Sequence, residues 1–89
     1  MTLRTYVLNL IRLRERMIAD GRSYRNTVQA FKSIKRIKTW LEFYPNATDA
    51  QVRAFLRKNE TDLQYILPGK TATNYLSIQT KLNSLLHAD

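Results

Sequence analysis

Apolar and polar positions follow one another along this chain with the three-and-four spacing of amphipathic helices, and no stretch shows the two-residue alternation of a half-buried strand. The longest such stretch is Ser23 to Tyr44, SYRNTVQAFKSIKRIKTWLEFY. Its residues Val28, Phe31, Ile34, Leu41 and Tyr44 recur at steps of three and four, interrupted by Lys38, which predicts one long helix with that series turned to a core. On its other side Arg25, Gln29, Lys32 and Arg36 fall at spacings of four, three and four, a stripe of three cations and an amide.

The rest of the chain divides into shorter helices around this one. Thr2 caps a first helix to about Ala19, with Leu3, Val7, Leu10 and Met17 as its seam and Tyr6, Leu13 and Ile18 widening it. Asp20-Gly21 stops it, because glycine accepts the left-handed conformation that ends helices. Ser23 or Asn26 caps the central helix, and Pro45 ends it near Tyr44. Thr48 and Gln51 have the spacing of a capping box, opening a third helix to about Lys58 with Val52, Phe55 and Leu56 inward and Arg53, Arg57 and Lys58 outward. Thr61 and Gln64 repeat the box before Leu63, Ile66 and Leu67, and Pro68-Gly69 closes that short fourth helix. Thr71 or Thr73 opens the last, which carries Tyr75, Leu76, Ile78, Leu82, Leu85 and Leu86 and closes around His87. The expectation is a single helical domain over residues 1–89, all-α, a small orthogonal bundle of four to five helices.

Composition agrees with a folded domain: 44% of the 89 residues are apolar and 25% charged, inside the globular range. The chain has no cysteine, which excludes disulfides and thiolate metal sites and fits a cytoplasmic, reducing compartment. No apolar run is long enough to span a membrane, and Arg4, Arg12, Arg14 and Arg16 interrupt the apolar positions of the first helix, so neither a span nor a secretory signal is expected. The basic first sixteen residues, with Glu15 as their one acid, leave a mitochondrial presequence open. Without a secretory signal, Asn46-Ala-Thr48 and Asn59-Glu-Thr61 read as chance matches to the glycosylation pattern.

Charge changes the picture more. The net charge is +8, and residues 1–44 hold ten Lys and Arg against three acids while residues 45–89 hold five against four. A basic half of this kind suits phosphates, acidic protein or anionic lipid. Arg12 and Arg16 either extend the central basic stripe or form a solvated face partly paired with Glu15 or Asp20. The aromatic residues Tyr24, Phe31, Trp40, Phe43 and Tyr44 interleave with the cations and could stack on unpaired bases. The plainer reading makes them core anchors, Trp40 and Phe31 first. If Trp40 and Phe43 instead flank the seam, they form an apolar patch for another protein.

Catalytic chemistry finds no foothold in the sequence. His87 is the single histidine and lies at a helix end, a place that helix-end electrostatics explain without any catalytic role. The seven acids are scattered, and Glu60 and Asp62 fall where helix starts favour negative charge. Gly21 and Gly69 make no phosphate loop. The expectation is a non-enzyme with no metal, no cofactor and no small-molecule substrate.

Three stretches resemble the SAM-like core-binding domain of tyrosine recombinases: Ser23 to Glu42 with its Trp40-Leu41-Glu42 end, Thr48 to Leu56, and Thr71 to Gln79. The helix from Leu3 to Ala19 is additional, and the catalytic domain is absent from this chain, so recombination does not carry over. The resemblance implies a DNA-facing surface from the central helix and from Lys70, Thr73, Asn74, Ser77 and Lys81. Leu10-Ile11-Arg12 with Tyr24-Arg25 is similar to the small mitochondrial LYR-motif adaptors, although Ile11 replaces the motif tyrosine. The leading expectation is a regulatory nucleic-acid-binding protein that contacts phosphates, most simply those of DNA, through Arg12, Arg16, Arg25, Gln29, Lys32, Arg36, Lys70, Thr73 and Asn74. The alternative is a protein-binding adaptor, of the phage type that occupies a host complex or of the LYR type, meeting an acidic surface or using Trp40 and Phe43.

Overall fold

The structure is a computed structural model that describes residues 2–21, 27–67 and 75–87. Among them are five α-helices and no strand: α1 (Leu3–Ala19), α2 (Thr27–Phe43), α3 (Asp49–Lys58), α4 (Glu60–Ile66) and α5 (Tyr75–Leu86). The all-α bundle expected from periodicity is the fold. The proposed caps Ser23, Asn26, Thr71 and Thr73 and the Pro68-Gly69 stop lie outside the described residues.

α1 begins where Thr2 accepts a hydrogen bond from the Thr5 amide at 3.1 Å, and it ends at Gly21, whose φ of 70° lies in the left-handed region. Its buried side is Leu3, Val7, Leu10, Ile11 and Arg14. Arg14 continues the Leu3-Val7-Leu10 series at the correct helical step, while Met17 and Leu13 are only half-buried. Periodicity alone passes over Arg14 because of its charge.

α2 is rotated relative to its expected face. Its core residues are Ala30, Ser33, Ile34, Ile37 and Leu41, whereas Val28 is 70%, Phe31 49% and Tyr44 55% exposed. Only Ile34 and Leu41 of the anticipated series point inward. α2 packs most extensively against α4, and the small Ala30 and Ser33 face inward along that side, where close approach favours small side chains over Phe31. Ile37, fully buried, contributes about 1.5–3 kcal/mol by burial, while the largely exposed Val28 contributes little.

The capping box of α3 forms in both directions, with the Gln51 amide donating to Thr48 Oγ1 at 3.2 Å and the Thr48 amide to Gln51 Oε1 at 2.9 Å. Val52 and Leu56 are buried and Phe55 is half-buried. Arg53, expected to point outward, is also half-buried. α4 follows after the single residue Asn59. Its second box, at Thr61 and Gln64, does not cap the helix: the Asn59 carbonyl already accepts from the Leu63 amide at 3.2 Å, so Thr61 lies inside the first turn. On α5, Ile78, Leu82 and Leu86 are buried and Leu85 half-buried, but Leu76 is 75% exposed and does not join the core. One cluster of buried apolar side chains draws members from all five helices, with α1 packed against α2, α3 and α4, and α5 against α3.

Candidate nucleic-acid interface

Among the described residues, Arg4, Arg14 and Arg53 are engaged with backbone carbonyls inside the fold. Arg4 of α1 donates through Nη1 to the Leu41 carbonyl at 2.7 Å and through Nη2 to the Tyr44 carbonyl. Arg14 donates through Nε to the Tyr65 carbonyl at 3.2 Å, and Arg53 through Nε to the Leu85 carbonyl at 2.9 Å. Each carbonyl lies at or just past the C-terminal end of another helix, α2, α4 and α5 in turn. There the last carbonyls lack intrahelical donors and the helix dipole favours a cation. These arginines are tertiary caps that tie the bundle together. Burial pushes the Arg14 guanidinium below its ordinary value, which for arginine still leaves it charged at neutral pH.

The central stripe is only partly a surface feature. Arg36 Nη1 donates to Asp62 Oδ2 at 2.7 Å, and the fully buried Ser33 hydroxyl donates to Asp62 Oδ1 at 2.8 Å. Gln29 Nε2 reaches the Ser33 oxygen at 3.5 Å and is half-buried. Arg36 and Ser33 thus join α2 to α4 through Asp62, and Gln29 extends the chain of contacts along α2. The Arg36 side chain remains 60% exposed, against 5% for Asp62, so it retains outward surface. Lys32 is exposed. Arg25, Lys70, Thr73 and Asn74 lie outside the described residues. Asp62 is the residue that sequence reasoning missed, since its position in a helix's first turn already accounted for its charge. The one available signal was its position directly before the core leucine Leu63.

Among the described residues, Arg12, Arg16, Lys32, Lys35, Arg36, Arg57, Lys58 and Lys81 are exposed, against the exposed acids Asp20, Glu42, Asp49 and Glu60. The excess is not uniform. A shallow depression of about 350 Å³ between α1 and α2 is lined by Lys35 and Lys38 but also by Glu15 and Glu42, with Lys38 Nζ 3.8 Å from Glu15, so that spot is locally balanced.

A second feature lies at the C-terminal end of α2, where an open groove of about 580 Å³ runs between α2, the turn after it and α3. Trp40 stacks on Phe55 with centroids 4.2 Å apart and planes 9° from parallel, and it meets Tyr44 at 4.9 Å and 38°. Phe43, 76% exposed, lines the groove with Tyr44, Pro45, Asn46, Ala47, Gln51, Ala54 and Lys58. The two residues of the adaptor reading, Trp40 and Phe43, are thus brought together. Trp40 is half-buried and packs against the edge of the core, whereas Phe31 is exposed and is not the core anchor anticipated.

Comparison with family models, with curated proteins and with solved structures finds no match for this chain. Among the described residues, no helix is long and apolar enough to cross a membrane.

Proposed function

We propose that this is a non-enzymatic nucleic-acid-binding protein that holds phosphates with the exposed cations of its helical surface, Arg12, Arg16 and Lys32 foremost. The observation that supports it is the twofold excess of exposed cations over exposed carboxylates among the described residues, which remains after the arginines engaged in helix capping are set aside. An excess of positive surface attracts a polyanion through counterion release, an effect that needs no built pocket and confers little sequence preference.

The experiment is fluorescence anisotropy of labelled oligonucleotides with the full chain at low and near-physiological salt. Binding at low salt that weakens steeply with added salt is expected. No binding at low salt overturns the proposal. Retention of one defined acidic protein from nuclease-treated lysate, with no oligonucleotide binding, replaces it with the adaptor reading.

A further inference from the structure

We infer that the groove between the end of α2 and α3 is a stacking site for unpaired nucleobases, so that the preferred ligand is a single strand; this rests on the phosphate-binding reading above and names its substrate class.

The composition of the groove carries the inference. Its walls include four aromatic rings, from Trp40, Phe43, Tyr44 and Phe55, and not one Leu, Ile, Val or Met. Grooves that receive amphipathic helices are hydrophobic, often with adaptable methionine in their lining. Flat rings instead match the faces of bases, and every base has such a face. The Trp40–Phe55 stack holds the indole in place, while Phe43 and Tyr44 leave ring surface open to solvent. The groove's volume falls in the range of roughly 300–1,000 Å³ that holds compact organic ligands.

Its polar groups suit the same occupant. Gln51 uses Oε1 to accept from the Thr48 amide, which leaves its NH2 group to donate to a base edge. Lys58 is the one charged residue of the lining, so a phosphate is favoured there and a basic peptide is not. In a duplex the bases are stacked on one another and offer only edges and backbone, so a duplex meets the exposed cations but cannot fill the groove.

The test uses the full chain with three labelled probes of equal phosphate number at low salt: an oligothymidylate, a hairpin duplex and an abasic strand. Tightest binding is expected for the oligothymidylate, with quenching of Trp40 fluorescence. Phe43→Ala, a change at an exposed position, is expected to weaken oligothymidylate binding roughly tenfold, leave the abasic strand unaffected and keep the far-ultraviolet circular dichroism unchanged. Equal affinity for oligothymidylate and abasic strand overturns the stacking site while leaving phosphate binding intact. Absence of binding to all three overturns both. Binding of an acidic or proline-rich peptide that Phe43→Ala abolishes, with oligothymidylate binding untouched, assigns the groove to protein and likewise overturns the proposal.

Discussion

Asp62 sits in the first turn of a helix, is 4% exposed, and has one oxygen on a buried serine and the other on an arginine. Removing a buried partner leaves the remaining polar groups without compensation, which costs more than the pair contributed. Asp62→Ala should therefore lower stability by about 2–3 kcal/mol in urea titration. Arg36→Glu should cost about 1–3 kcal/mol, less than a fully buried pair because the arginine is mostly exposed. Lys32→Glu should stay within about 0.5 kcal/mol of the parent. Equal losses at Lys32 and Arg36 would contradict this account. Tyr6 offers a pH-dependent check. Its hydroxyl reaches the Ile78 carbonyl at 3.4 Å, and burial pushes its pKa above the ordinary value of 10.0 because the phenolate would be poorly solvated. A raised folded pKa contributes stability that is complete below the unfolded value and is lost as pH rises through the folded one. Urea midpoints from about pH 9 to about pH 11 should fall less steeply in Tyr6→Phe than in the parent, and identical slopes would remove Tyr6 from the explanation.

The helix ends separate what local sequence decides from what packing decides. Thr48 and Gln51 form their box because both partners lie within four residues of each other and need no tertiary help. Thr61 and Gln64 have the same pattern, but Asn59 has already begun the helix. Thr48→Ala should lower stability by about 1 kcal/mol and Thr61→Ala by less than about 0.5 kcal/mol, compared by thermal unfolding. If the two substitutions cost the same, the assignment of α4's start is wrong. The C-terminal ends of α2, α4 and α5 receive donors from other helices. Arg53→Gln should increase amide exchange in the last turn of α5 while the first turn of α3 keeps its protection, because the Leu85 carbonyl loses its charged donor. Unchanged exchange in that turn would show that Arg53 is not the cap.

Across the whole molecule, positive charge divides into cations that hold the bundle together and cations that face solvent. The division yields a measurement of its own. Each phosphate contact contributes about 0.9 to the slope of log affinity against log salt on duplex. Arg12→Gln together with Arg16→Gln should reduce that slope by about 2 without changing stability. Arg53→Gln should lower stability and leave the slope unaltered. A slope that responds to Arg53 as much as to the α1 pair would mean that the capping arginines also face the ligand.

The first cap, the glycine stop after α1 and the box of α3 depend on interactions within about four residues, and the helical period marks most of the core face on α1, α3 and α5, so the sequence determined them. The face of α2 did not follow from periodicity. Its aromatic residues satisfy the helical spacing as well as the true core does, and the packing of the bundle instead buries Ala30, Ser33 and Ile37, with Ser33 against Asp62 of α4. Charge was legible in amount but not in use. Only the tertiary structure places Arg4, Arg14 and Arg53 on the carbonyls of distant helices, buries Asp62 beneath Arg36, and brings Phe55 of α3 onto Trp40 of α2. Those partners are separated by many residues along the chain, and a pattern that repeats every three or four positions contains no information about which helices meet.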